Sequence, residues 1–230
     1  GFAAFGLLLG SISDTVTGFL DSPQIQEFLK QLGGTQALAD AFLATELSFA
    51  GIIVAAYGIS AASRLHTEEA EGHAEVLLAT PTSRIVWATS HTVFALLGVA
   101  VILLVGGLAI GVGNAIAMGD AGNIGELLLA ALARVPAAWV LTGIVLLVFG
   151  WLPRWVPLVW AVFVVALVLG EFGPLWDLPQ WLMDLSPFVH SPRLPAPDSS
   201  SAGLMPLVVV SVALSGVGLL GWRRRDLHPG

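Results

Sequence analysis

The chain has 230 residues, of which 56% are apolar and 11% charged, with a formal net charge of −7 and no cysteine; its mean hydropathy is +0.87. A water-soluble domain carries roughly 25% charged residues, so a surface this poor in charge needs lipid around it. The missing thiols exclude disulfides, thiolate metal sites and a cysteine nucleophile, and the acidic balance gives nucleic acid no electrostatic reason to bind.

In chain order, the first apolar run is Gly1-Phe2-Ala3-Ala4-Phe5-Gly6-Leu7-Leu8-Leu9. It is shorter than the about 20 residues that cross a bilayer and carries no signal-peptide pattern. It is expected to be the end of a first span, about 1–13, that begins upstream in a longer polypeptide. A long outer connection follows, with a helix start at Asp21-Ser22-Pro23 and a stop at Gly33-Gly34. Asp40 is expected to cap the next helix. Five further spans are predicted at about 42–62, 85–112, 135–152, 156–169 and 204–222. The fourth has a candidate interfacial entry from Ile124, and the short fifth can extend into Glu171-Phe172. Phe172 to Gly203 reads as a structured outer cap, with Trp176, Leu178, Trp181, Leu182 and Leu185 on an apolar face. The fold class is thus an all-α polytopic membrane protein with six transmembrane helices, a single domain over 1–230 without an internal repeat.

Basic residues orient these spans. With Lys30 outside, Arg64, Arg84, Arg154, Arg223, Arg224 and Arg225 fall inside, only Arg193 joins Lys30 outside, and Arg134 sits near the outer interface. This bias places the C-terminus in the cytosol. Trp87, Trp151, Trp155 and Trp222 are expected at the inner headgroup layer, Trp176 and Trp181 at the outer one.

The inner segment between the second and third spans carries the most information. An acidic helical run ends near Gly72, a short apolar helix covers Ala74 to Thr80 and stops at Pro81, and Thr82 or Ser83 can cap the third span. A short helix exposing Val76, Leu77 and Leu78 on the cytosolic side needs a partner surface.

The pattern Glu69-x-x-Gly72-x-x-Glu75-Val76-Leu77-Leu78-Ala79-Thr80-Pro81-x-Ser83-Arg84 resembles the coupling segment of type-2 ABC transporter permeases. Leu185-Ser186-Pro187-Phe188-Val189-His190-Ser191-Pro192-Arg193-Leu194-Pro195 and the ending Trp222-Arg223-Arg224-Arg225-Asp226-Leu227 are similar to one actinobacterial branch, the polyketide-antibiotic exporters of tetronasin-resistance type. The resemblance implies that Glu69, Gly72, Glu75, Val76, Leu77, Leu78, Pro81 and Arg84 couple the chain to a separate ATP-binding-cassette ATPase, as a dimer. It also implies a second six-span unit, either the N-terminal half of the same permease or another copy. Cargo would be a hydrophobic antibiotic-like or drug-like compound, exported across the bacterial inner membrane by alternating access. The chain has no Walker A pattern, so it is expected to bind no cofactor, with ATP and Mg held by the partner and no catalysis of its own.

Other polar residues have a functional and a structural reading side by side. Glu46 lies inside the second span, where a carboxylate is costly; it is either a substrate-path contact or a hydrogen-bond partner of Thr45, Ser48 or another helix. His190 is a candidate outer gate or a shaper of the cap. Glu68 and Glu71 read as a solvated face or as partners of Arg64 or the ATPase. His91 reads as a packed polar residue. His66, Glu69 and His73 share a helical face, but Gly72 interrupts it and the spacing is a poor metal motif. Gly106, Gly107, Gly111, Gly113, Gly216, Gly218 and Gly221 read as close-packing positions. Two competing functions stay open. A membrane enzyme acting on a lipid-linked substrate would need acids converging at one interface, and an ion-coupled carrier would favour broken helices and midplane charges.

Overall fold

The computed structural model describes residues 34–71, 83–119, 121–195 and 200–225. The expected first span, the connection after it as far as residue 33 and the short helix from Ala74 lie outside the described residues. Among the described residues all regular structure is helical. Five stretches are long and apolar enough to cross a bilayer: Ala39–Ala70, Ile85–Met118, Ile124–Trp151, Pro153–Trp176 and Ser201–Arg224. The described residues therefore form an all-helical fold of membrane-length spans.

The helices are α1 (Gly34–Ala70), α2 (Arg84–Met118), α3 (Ile124–Leu132), α4 (Val135–Trp151), α5 (Val159–Leu167), α6 (Gln180–Met183) and α7 (Leu204–Arg224). α1 has 37 residues, which at the α-helical rise is about 55 Å, well beyond a hydrocarbon core of about 30 Å. Both α1 and α2 outrun the spans expected at 42–62 and 85–112. The early start of α1 also corrects one reading: Asp40 lies within α1 and is no N-cap. The helix expected from Asp21 up to the Gly33-Gly34 stop lies outside the described residues. At the start of α2 the expected cap is made, with the Val86 N–H donating to Ser83 Oγ at 3.3 Å.

Proline marks the breaks. Pro136 has no N–H to give the Leu132 carbonyl and its ring crowds that turn; α3 ends at Leu132 and α4 begins at Val135. The stretch from Ile124 is accordingly helical. The fifth span enters through a 3₁₀ helix, Pro153–Leu158, with Pro153 at its start and Pro157 within it. It runs past the expected end at 169 through a π-turn, Val168–Phe172, and a 3₁₀ turn, Gly173–Trp176.

The described residues fall into two compact units, each considered by itself: one drawn from Gly1–Gly51, Ala100–Val135 and Pro192–Ser201, the other from Ile52–Val99, Pro136–Ser191 and Ala202–Gly230. In the first unit Leu43, Leu47, Ile110, Leu127, Ala130 and Ala131 form a core that Leu194 joins. Helices approach closely there: a Cβ added to Gly107 would lie 2.5 Å from that of Ala131, and one on Gly111 would lie 3.2 Å from Ile124 Cα. Arg134 is buried and its Nη2 donates to the Ala44 carbonyl at 3.2 Å.

In the second unit Ala137, Val140 and Leu207 form a core with Ile144, Phe188 and Leu214 packed on it. Trp139 Nε1 donates to the Leu96 carbonyl at 2.9 Å. α7 meets α4 backbone to backbone: a Cβ on Gly218 would fall 2.7 Å from the Leu147 nitrogen, with the Leu146 carbonyl nearer still, and one on Gly221 would run into the Trp151 indole. Gly216, grouped with these two in the sequence, has nothing within 4 Å of an added Cβ. Gly218→Ala is thus expected to lower the thermal midpoint of the purified protein, by an overpacking cost of about 1–3 kcal/mol. Gly216→Ala should leave the midpoint unchanged or raise it slightly, because alanine restricts the unfolded backbone.

Candidate functional site

A charged and aromatic cluster of the second unit forms where α1, α4 and α7 end. α7 stops at Arg224, and Arg225 turns to an extended conformation with its N–H on the Trp222 carbonyl at 3.3 Å. The Arg225 side chain makes three kinds of contact. Nη2 pairs with Glu69 Oε1 in the last turn of α1. Nη1 donates to the Phe149 carbonyl at 2.9 Å, in the last turn of α4, where carbonyls lack an intrahelical partner. The guanidinium carbon lies 5.0 Å from the Trp222 ring centroid and 5.7 Å from that of Phe149, within cation–π range.

Aromatic contacts extend the cluster. Phe149 and Trp222 are stacked at 5.0 Å, Trp222 and Trp87 are tilted at 5.8 Å, and Trp87 lies 5.2 Å from His91. His91 Nε2 stands 3.3 Å from Glu68 Oε2. Tyr57, Ser60, Arg64, Glu68, His91 and Phe94 line an open cleft of about 390 Å³ on the same unit.

These contacts revise several expectations. Glu68, read as a solvated face or a partner of Arg64, meets His91 instead, and Glu69 reaches Arg225 of its own chain. Trp222 is 1% exposed and Trp87 5%, so both are packing residues and not headgroup anchors. Trp151 and Trp155, in contrast, are half exposed, as a membrane-facing indole requires. Trp151 also gives its N–H to the Val217 carbonyl at 3.1 Å. Gly72, Glu75, Val76, Leu77, Leu78 and Pro81 lie outside the described residues. Arg84 opens α2. Among the described residues no group of three or more His, Asp or Glu could hold a metal; His73, part of the weak metal reading, lies outside them.

Away from this cluster, Glu46 belongs to the first unit. It is 6% exposed, and neither carboxylate oxygen has a hydrogen-bond partner among the described residues. The partners offered by the sequence are engaged elsewhere: Thr45 Oγ1 donates to Ala41 O at 2.8 Å and Ser48 Oγ to Ala44 O at 2.9 Å.

His190 belongs to the segment between α5 and α7. Its Nε2 lies 2.9 Å from the Asp184 carbonyl. Ser186 in that segment is fully buried and donates to the Ala166 carbonyl at 2.7 Å. An added Cβ on Gly170, in the π-turn, would be 2.9 Å from Ser186 Oγ. The segment is thus folded against α5, while Trp176, Trp181 and Leu185 keep more than half of their surface exposed.

The family described as the multidrug efflux system permease Rv1217c, C-terminal domain, matches residues 1–223. The chain belongs to this family. The multidrug efflux system permease protein Rv1217c of Mycobacterium tuberculosis (strain ATCC 25618 / H37Rv) is 36% identical over 230 residues, which cover 99% of this chain and 42% of the relative. The chain therefore spans less than half the length of that relative. Family and fold agree: a permease domain is a membrane domain, and five apolar helices provide one.

Arg225 is the site residue that the sequence left unsingled. Its charge was legible as one of three arginines after the last span; the signal that it folds back is the glutamate at the far end of another helix, which spacing along one chain does not reveal. For Glu46, a buried carboxylate without a partner costs stability. Glu46→Leu is expected to raise the thermal midpoint of the purified protein, by about 1–3 kcal/mol on the scale of buried charges replaced by apolar groups.

Proposed function

We propose that the chain is the membrane-spanning C-terminal half of an ATP-driven efflux permease that exports hydrophobic drug-like compounds by alternating access. The observation that carries this reading is the family match over residues 1–223, joined to five membrane-length apolar helices. The relative is a multidrug efflux system permease protein, and the motifs that resemble the tetronasin-resistance branch are consistent with antibiotic cargo.

In this proposal a sixth span at about 1–13 completes the half, and the other half comes from the same permease or a second copy. The membrane is the bacterial inner membrane, with the Arg223–Arg225 ending in the cytosol by the basic bias of the inner connections. A pair of ATP-binding subunits hydrolyses ATP with its own Mg. The segment from Gly72 to Pro81 docks on that pair through Val76, Leu77 and Leu78, framed by Glu69, Glu75 and Arg84. Closure of the ATPases pushes the segment and tilts the spans. Glu46 contacts cargo in the path, and His190, tied to the Asp184 carbonyl, sets the outer segment as a gate.

The test is reconstitution of the permease with its ATP-binding partner in vesicles, following ATP-dependent uptake of a hydrophobic dye. Leu77→Asp with Leu78→Asp is expected to abolish uptake and co-purification of the ATPase while the membrane fraction retains the permease. Full coupling in that double variant overturns the docking assignment. No ATP-dependent uptake in the wild type overturns the exporter reading. Glu46→Leu and His190→Ala should each change cargo-stimulated ATP hydrolysis without altering the amount of protein in the membrane.

A further inference from the structure

Glu69 lies in the last turn of α1, three residues before Gly72, where the proposed docking segment begins. Arg225 joins it to the ends of two further helices, α4 through the Phe149 carbonyl and α7 through its own backbone. The pair is partly buried, with side chains 24% and 18% exposed. Salt and water therefore screen it less than an exposed pair, which is worth little. Arginine is suited to the place: its planar fork serves two acceptors at once and its face lies over the Trp222 and Phe149 rings.

We propose that Arg225 is a positioning residue for coupling: its clamp on Glu69 and Phe149 makes the ends of α1, α4 and α7 move together when the segment after α1 is pushed by the ATPase. The inference rests on the exporter reading and deepens it, because it names the contact inside this chain through which force leaves the docking segment. Without the clamp the end of α1 can shift alone, so ATP is hydrolysed without a matching movement of α4 and α7. Trp87 and Trp222 back the clamp with a packed aromatic floor.

The experiment uses the whole permease with its ATP-binding partner in inside-out vesicles and the dye Hoechst 33342 as probe, reading dye accumulated per ATP hydrolysed. Arg225→Ala and Glu69→Gln should each lower that ratio about tenfold, a coupling effect of ordinary size between two sites, with the thermal midpoint near wild type in both and basal ATP hydrolysis near wild type in Arg225→Ala. The double variant should be no worse than either single one, since both remove one interaction. Arg225→Lys, which keeps the charge and loses the fork, should recover part of the ratio. An unchanged ratio in the single variants overturns the inference, as do losses that add in the double variant. A ratio that falls only in step with the thermal midpoint also overturns it, by reducing the cluster to fold stability. A wild type that moves no dye with ATP overturns the exporter reading itself, whereas a working wild type with indifferent Arg225 variants overturns the clamp alone.

Discussion

Hydrocarbon offers a polar group no hydrogen-bond partner, so each N–H, carbonyl and hydroxyl in the spans has to be satisfied by the chain itself. That constraint accounts for the helices and for most side-chain hydrogen bonds seen within them. Thr45, Ser48, Ser60, Thr92, Thr142 and Ser215 all donate to the carbonyl four residues earlier on their own helix. Polar residues placed this way disturb neither lipid nor neighbour. Where the ladder fails, something else fills in. Proline breaks α3 from α4, and the π-turn after α5 coincides with Ser186 giving its hydroxyl to the Ala166 carbonyl.

Lipid also removes the usual reason for helices to associate, since apolar side chains are as content against acyl chains as against each other. Small residues take over. In the second unit Gly218 lets α7 lie on the α4 backbone, and in the first Gly107 and Ala131 do the same for α2 and α3. Two arginines add directional ties of a similar type, each guanidinium reaching a carbonyl of another helix: Arg134 to Ala44 in the first unit and Arg225 to Phe149 in the second. An arginine among apolar helices is expensive unless its donors are used, and these two are used structurally.

The spans were legible because hydropathy over about 20 residues is a one-dimensional property; 85–112 and 204–222 were placed within a turn or two of α2 and α7. Their ends were less so. α1 continues through polar Arg64-Leu65-His66-Thr67-Glu68-Glu69 to Ala70, because a helix leaving the membrane keeps its backbone bonds where hydropathy has already dropped. The Trp belt divided for a related reason. An interfacial indole and a packed one look alike in sequence, and only the burial of Trp87 and Trp222 among other aromatic rings separates them from the half-exposed Trp151 and Trp155. The glycines behaved in the same way, Gly218 making a contact that Gly216, half a turn away, does not.

Glu69 and Glu46 show what pairing does to a buried acid. Both lie on α1 and both have buried oxygens without a partner among the described residues: Oε2 alone in Glu69, both oxygens in Glu46. In Glu69 the other oxygen holds Arg225, so the carboxylate acts as a joint between helix ends. A joint of this type has to be charged to hold and enclosed to be stiff, which the half-buried last turns of three helices provide. It also has to sit beside the part that moves, and Glu69 stands at the end of α1 next to the proposed docking segment. The family motif supplies the glutamate and the basic ending supplies the arginine from opposite regions of the chain. In sequence they read as part of a resemblance to a coupling segment and as a topology signal; in the folded unit they are one contact.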